Sequence, residues 1–385
     1  MTKALFGAAK FNAALVAIPG GRSRIETPAA VLDLDIFNRN LATLADTCRS
    51  TGIGFRPHAK SHKCAEIARH QIASGAVGIC CAKPGELLAL FEAGIDDLLL
   101  TAPVASGAKI DALAVAAAKG ARIGVVVDRL DLVAAYAEAA ARHKARFDAF
   151  VDLDVGLLRS GVAKPLEAVA LARAVTLHAS LRYVGVQAYQ GRVQHIDNFD
   201  ARRVANQEMG RTLVTMLSAL ANAGLSPGII SGGGTGSHML DTQERLFSEV
   251  QPGSYVFMDE AYNSVDIHGN GGPTFGPALR VAVTVIGHSS AGFAITDGGS
   301  KSFAMDGPPP RVLVGDATVG RIEWCGDEFG RIRPFEGNAV LPVGTVVECT
   351  APHCDPTINL HDFLHVFEGS TLKEIWKVEA RGRAD

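Results

Sequence analysis

Gly52-Ile53-Gly54-Phe55-Arg56-Pro57-His58-Ala59-Lys60-Ser61-His62-Lys63 begins as a strand and ends as a loop crowded with basic side chains. The same change of texture recurs down the chain. Apolar runs over Val77 to Ala82, Leu98 to Thr101, Arg122 to Val127, Asp148 to Leu153, Arg182 to Ala188, Gly228 to Ser231 and Glu249 to Phe257 alternate with Ala/Leu-rich stretches of helical period. Three of those stretches are Ile36 to Arg49 with Asp35 as N-cap, Asp131 to Lys144 with a stripe of Leu132, Ala135, Tyr136, Ala139 and Ala140, and Ala201 to Ala223. Counting Ile53 to Pro57, eight β/α units fit within roughly 220 residues, which predicts an α/β fold of (β/α)₈ TIM-type barrel. Strand counting alone leaves a doubly wound sheet open. The register of the polar residues favours the barrel, because Lys60, Arg159, Tyr189, Gly233 and Gly253 each follow a candidate strand, where barrel sites are built.

Beyond about Asn270 the texture becomes β-branched and aromatic in short runs: Arg280 to Ile286, Gly292 to Thr296, Arg311 to Val314, Gly344 to Cys349, Asp362 to Phe367 and Ile375 to Glu379. The expected organisation is a barrel over 27–265, with 1–26 and 270–385 forming a C-terminal β domain. The strand-like Thr27 to Asp33 precedes the barrel and is positioned to pair with that second domain.

With 385 residues, 48% hydrophobic and 20% charged, the chain has the composition of a well-buried, enzyme-sized protein. A net charge of −3 without long runs gives no basic footprint for nucleic acid, so the expected partner is a small molecule. Seven scattered cysteines without a CxxC pair argue against a disulfide framework and for a reducing, cytoplasmic setting. The adjacent Cys80 and Cys81 read as core. No run reaches the ~20 apolar residues of a membrane span.

Lys60 sits among His58, His62 and Lys63. Neighbouring cations oppose protonation, so this amine is expected to be pushed toward its neutral, Schiff-base-forming state. A solvated basic loop is the competing reading. Ser231-Gly232-Gly233-Gly234-Thr235-Gly236-Ser237 offers backbone N–H groups and hydroxyls to an anion, and Gln251-Pro252-Gly253-Ser254-Tyr255 offers more. The loop lacks the lysine of a Walker motif and the spacing of a dinucleotide fingerprint. An aldehyde-binding lysine with a phosphate cup points to pyridoxal 5′-phosphate. Far downstream, Pro352-His353-Cys354-Asp355-Pro356-Thr357 holds a potential chelate. In an extended segment His353 and Asp355 would share a face and Cys354 would point away, making a half-site for Mn²⁺, Mg²⁺, Ca²⁺ or Zn²⁺. An HxD in a loop also commonly caps or pairs. Asp297 to Lys301 reads as a strand-ending turn that could approach the site, and His361 and Asp362 read as structural.

Over nearly its whole length the chain resembles the D-threonine aldolase and D-serine dehydratase-like family, fold-type III pyridoxal-phosphate enzymes with an alanine racemase-like barrel. The resemblance is carried by TPAAVLDLD, RPHAKSHKC, VGICCAKPGE, VDLDVGLLRSGV, VQAYQGRVQH, SGGGTGS, QPGSYVFMD and PHCDPTINLHD. It implies that Lys60 binds the cofactor aldehyde, that Arg159 contacts its phenolic oxygen, and that Gln187 and Tyr189 touch cofactor or substrate. It further implies that Gly233, Gly234, Thr235, Gly253, Ser254 and Tyr255 form the phosphate end, that His195 is the base acting on a substrate hydroxyl, and that His353 and Asp355 bind a divalent metal, Mn²⁺ first among the candidates. The family's usual histidine after QAY is Gln190 here, a departure. In the dehydratase branch the second ligand tends to be cysteine, so Asp355 favours an aldolase: a lyase that cleaves a D-β-hydroxy-α-amino acid, D-threonine-like, to glycine and an aldehyde. The alternatives are a D-serine or 3-hydroxy-D-aspartate dehydratase, an amino-acid racemase, a non-catalytic pyridoxal-phosphate protein, and a metal barrel without a cofactor. Fold-type III relatives make a homodimer the expected assembly.

Overall fold

A computed structural model describes residues 5–271, 274–315 and 317–385. The first strand, β1 (Ala29–Asp33), leads into a helix over Leu34–Thr51. Eight parallel strands follow: β2 (Gly54–Phe55), β3 (Ile79–Cys81), β4 (Asp97–Leu100), β5 (Arg122–Val127), β6 (Phe147–Asp152), β7 (Leu181–Ala188), β8 (Ile229–Gly232) and β9 (Glu249–Val250). Their order is β2-β9-β8-β7-β6-β5-β4-β3. The two end strands meet: Val77 N–H donates to the Phe55 carbonyl at 3.0 Å and Cys80 N–H to that of Pro57 at 2.8 Å, so the sheet curls into a barrel. All eight sequence candidates are strands. The last is much shorter than expected, because Pro252 has no N–H to donate and the chain turns through Ser254–Val256 instead.

Two features pack the barrel interior. Cys80, Leu99, Val126 and Phe150, one from each of β3 to β6, form a buried cluster with Val184 and Ile229 against it. At the strand beginnings lies a chain of ion pairs: Arg56 with Glu249 (3.0 Å) and Asp97 (2.5 Å), Arg122 with Asp97 (3.0 Å) and Asp148 (3.1 Å), and Arg182 with Asp148 (2.5 Å). Charge and apolar bulk thus close the lower part of the barrel, leaving the strand ends open for chemistry.

The helices differ from expectation mainly at their ends. Leu34–Thr51 is capped by Asp33, whose carboxylate accepts the Ile36 N–H at 3.1 Å, and not by Asp35, which lies inside the first turn. Asp33 is the residue that still has extended backbone, the condition for an N-cap. The helices Leu130–Arg142 and Phe199–Asn222 start one or two residues earlier than the apolar pattern, and the first buries Leu132, Val133, Tyr136, Ala137, Ala139 and Ala140.

A second, nine-stranded sheet contains β10 (Leu279–His288), β11 (Ala294–Thr296), β12 (Arg311–Val314), β13 (Ala317–Trp324), β14 (Gly330–Pro334), β15 (Val346–Thr350), β16 (Phe363–Glu368) and β17 (Thr371–Lys377), together with β1. Strands β10, β11, β14, β13, β12 and β15 close on one another around Val281, Val283, Val285, Phe303, Val312, Ile322, Ile332 and Val347. β1 lies between β10, antiparallel, and β16, parallel, so the segment before the barrel belongs to this second sheet. β13 and β14 escaped the sequence reading because charged residues interrupt their apolar alternation. In the fold those charges pair across the strands, Arg331 with Glu323 at 2.8 Å and Arg333 with the same carboxylate.

Candidate active site

The loop after β2 turns through a single 3₁₀ turn, Ala59–Ser61. His58 caps it: Nδ1 accepts the Lys60 N–H at 3.3 Å, and Nε2 lies 3.0 Å from the Thr101 hydroxyl. That hydroxyl donates to the Cys81 carbonyl at 3.1 Å, so it must accept from His58, which places the ring proton on Nε2. The Lys60 side chain is thereby aimed from the barrel end across to the second sheet. Its Nζ donates to Asp355 Oδ2 at 2.8 Å.

This contact reverses the expectation for Lys60. The Asp355 carboxylate, the largest influence, raises the lysine pKa against the opposing effect of burial. The presumed cationic neighbours do not act as such. His58 is held well below its usual pKa by burial, then by the Lys60 charge, and burial lowers His62 to about 4. Lys63, with φ of 54°, turns away to Glu86 at 3.4 Å. Burial opposes ionisation of Asp355, but Lys60 and then His353 outweigh it and hold the acid well below the usual carboxylate range.

A cavity of about 290 Å³ opens at the strand ends, lined by His58, Lys60, Ala82, Lys83, Thr101, Ala102, Arg159, Gln187, Tyr189, Gly234, Thr235, Gln251, Gly253, Ser254 and Tyr262. That is the size of a small-molecule site. A larger surface cleft of about 1040 Å³, bordered by Arg69, Glu92, Phe363 and Glu374, contains none of the candidate residues.

Arg159 lies with its guanidinium 5.5 Å from the centre of the Tyr189 ring. Gln187 is buried, its amide donating to the Thr101 carbonyl (3.0 Å) and to Asp152 (2.8 Å), an acid raised to about 6 by burial. Gln190 instead braces its own loop, accepting the Arg192 N–H at 3.1 Å. The glycine-rich loop is held from behind. Gln194 Oε1 accepts the N–H groups of Gly236 (2.9 Å) and Ser237 (3.2 Å), and Ser237 donates to the buried Asp241 at 2.5 Å. Gly233 has φ of +68°, and a Cβ there would fall 2.3 Å from Asp241, so it sits behind the cavity wall that Gly234 and Thr235 form. Tyr255 is also behind the wall: its N–H goes to the Thr235 hydroxyl at 3.2 Å and its own hydroxyl accepts from Gln71 at 3.2 Å.

His195 ends the 3₁₀ turn Gly191–His195 and its ring lies 4.5 Å from that of Tyr262, a cavity residue. Burial lowers its pKa, with Asp259 next, opposing. The 353–355 segment is not the extended strand that the alternation argument assumed. His353 has extended backbone, but Cys354–Ile358 is a short helix, because Asp259 draws in the Cys354 N–H at 2.8 Å. Asp355 still reaches Lys60, and the buried Cys354 thiol is pushed well above its usual pKa by burial and then by the Asp259 charge. His353 Nδ1 lies 2.8 Å from Asp306. Among the described residues no group of three or more His, Cys, Asp or Glu side chains could hold a metal ion, and His353 and Asp355 stand at the N-cap and in the first turn of that short helix.

Thr101, Tyr262, Asp259 and Asp306 were missed by sequence reasoning, and Gln251 was named only within a turn offering backbone N–H groups. Thr101 and Gln251 directly follow strands, a signal that was available; Tyr262, Asp259 and Asp306 carry none. Asp297 serves the second sheet, accepting from Thr27 (2.6 Å) and the Thr284 N–H (2.8 Å), and His361 pairs with the Ser302 carbonyl at 2.9 Å.

The family model described as alanine racemase, N-terminal domain, matches residues 32–261, and one described as putative serine dehydratase domain matches 278–367. The chain belongs to the D-threonine aldolase and D-serine dehydratase-like family. It is 35% identical over 374 residues to a 3-hydroxy-D-aspartate aldolase of Paracoccus denitrificans (strain Pd 1222), covering 95% of each chain. It is 35% identical over 360 residues to a D-threonine aldolase of Arthrobacter sp, covering 94% of each. The solved structure of D-threonine aldolase from Filomicrobium marinum superposes with a TM-score of 0.90 at 37% identity, covering 96% of this chain and 99% of that one. The family thus accounts for both sheets.

Proposed function

We propose that the protein is a pyridoxal-phosphate- and divalent-metal-dependent aldolase that cleaves D-β-hydroxy-α-amino acids to glycine and an aldehyde. The observation carrying this reading is the 2.8 Å approach of Lys60 Nζ to Asp355, which sets an amine from the barrel beside one of the two candidate metal ligands from the second sheet. The relatives named for D-threonine and 3-hydroxy-D-aspartate cleavage support the same substrate class.

The residues present suit the cofactor. An amine stands on one side of the cavity, and Gly234, Thr235, Gly253 and Ser254 stand on its wall. A Cβ at Gly234 would come within 2.5 Å of Gln194 Oε1, so bare backbone faces that cavity. Lys60 would bind the aldehyde, Arg159 the phenolic oxygen, and the two glycine-containing loops the phosphate, with Gln187 and Tyr189 walling the ring. His353 and Asp355 would hold the metal, Mn²⁺ being the first candidate, with substrate oxygens and water completing its coordination. When bound, the cofactor supplies an electron sink at Cα and the metal a Lewis acid for the β-oxygen. His195, whose pKa burial lowers, is the base for the β-hydroxyl proton. Tyr189 and Tyr262 line the cavity. We infer a homodimer as the working assembly.

The test is to incubate the protein, pyridoxal phosphate and Mn²⁺ with D-threonine and with D-serine while following acetaldehyde, glycine, pyruvate and ammonia. Glycine with acetaldehyde is expected; pyruvate with ammonia from D-serine would replace the aldolase reading by a dehydratase. Activity that survives thorough chelation would remove the metal.

A further inference from the structure

We propose that Asp306 is a positioning residue that fixes His353 as a metal ligand through Nε2. This rests on the metal reading above and adds a residue from a separate loop. Asp306 Oδ2 lies 2.8 Å from His353 Nδ1. An ionised carboxylate has only lone pairs to offer, so Nδ1 must be the donor and the ring proton resides there. In the neutral imidazole the remaining lone pair is then on Nε2, the form a divalent cation requires. A ligating histidine whose second nitrogen donates to a carboxylate is oriented and made more basic by it.

Asp306 is itself more than half exposed, and an isolated surface pair of this kind is worth about 0–1 kcal/mol. What separates it from such a pair is the backbone beneath. Ala304 N–H donates to the Thr357 hydroxyl at 3.1 Å, and that hydroxyl donates to the His353 carbonyl at 2.7 Å. A Cβ on Gly307 would fall 2.4 Å from the Pro352 carbonyl oxygen, so the two loops touch main chain to main chain on the other side of Asp306. The carboxylate and the imidazole are therefore carried on two segments bonded together on one side of the contact and in close main-chain approach on the other. Such bracing sets the direction of a ring, which a fluctuating surface pair does not need.

The experiment is a Mn²⁺ titration of the pyridoxal-phosphate-loaded protein, reading free Mn²⁺ by electron paramagnetic resonance, alongside cofactor affinity measured by absorbance. Wild type, His353→Ala, Asp306→Ala and Asp306→Asn are compared. Asp306→Ala is expected to weaken Mn²⁺ binding about 10- to 100-fold with cofactor affinity unchanged. Asp306→Asn, whose amide oxygen can still accept from Nδ1, is expected to fall between it and wild type. Mn²⁺ binding that requires His353 but ignores Asp306→Ala overturns this inference alone. Failure of the wild type to bind, or binding indifferent to His353→Ala, overturns the metal reading and this inference with it. Parallel loss of metal and cofactor in both Asp306 variants marks a merely structural residue and also overturns it.

Discussion

Lys60 shows why a charge argument made from neighbours in sequence can have the wrong sign. Its basic neighbours are removed by burial or by turning aside, and the charge that governs it comes from Asp355, almost three hundred residues away, at 2.8 Å. The residue's identity was legible because a lysine after a strand, with a glycine-rich loop elsewhere on the barrel, is a chemical pattern. Its protonation was not, because electrostatics depends on distance in space. Lys60→Ala is expected to abolish the absorbance band near the visible edge on reconstitution with pyridoxal phosphate, and to lower turnover by at least about 10²-fold. A variant that keeps the band would place the cofactor on another amine.

The elements were read well where period and length carry the information, and poorly where an end is set by a single polar contact. The barrel strands follow from apolar runs, whereas the Asp33 cap, the early end of β9 and the charged pair β13 and β14 depend on partners a linear pattern does not display. The glycine-rich loop is a further instance, since its shape comes from the buried helix His238–Glu244 behind it as well as from its glycines. Asp241 of that helix is fully buried and raised to about 7, first by burial, against the hydrogen bond from Ser237. Its protonated form is therefore favoured by folding. Between about pH 4 and 7 the folded state keeps a proton that the unfolded chain has released, so this residue's contribution to stability declines as pH rises through that window and stays lost above it. Asp241→Asn removes the titration. Relative to wild type, the variant is expected to gain about 4 kcal/mol between pH 4 and 7.5, from a shift of roughly three pKa units. Denaturation midpoints measured across that range check it, and a mutant-to-wild-type difference that is constant with pH would contradict it.

At the scale of the whole molecule the site exists only because two sheets meet, and one part of the seam between them lies beside it. Glu260 N–H donates to the Ala351 carbonyl at 3.0 Å, Ala261 N–H to that of Pro352 at 3.2 Å, and Asp259 Oδ2 accepts the Cys354 N–H at 2.8 Å. The other Asp259 oxygen accepts the Tyr262 N–H, also at 2.8 Å, so one buried carboxylate ties the stem of a cavity tyrosine to the loop carrying His353 and Asp355. No feature of the sequence marks Asp259 for this, because the tie links segments whose nearness is a result of folding. Removing the carboxylate leaves two buried N–H groups without acceptors, a loss of about 1–3 kcal/mol for each. Asp259→Ala is thus expected to lower stability by a few kcal/mol. More tellingly, it should weaken Mn²⁺ binding about 10-fold or more while cofactor affinity changes little, since the phosphate loops and Lys60 stand on the barrel side of the seam. Calorimetric titration of the two ligands on one preparation separates these effects. Equal loss of both would mean that Asp259 supports the fold as a whole, and unchanged metal affinity would mean that the backbone bonds at Glu260 and Ala261 hold the seam without it.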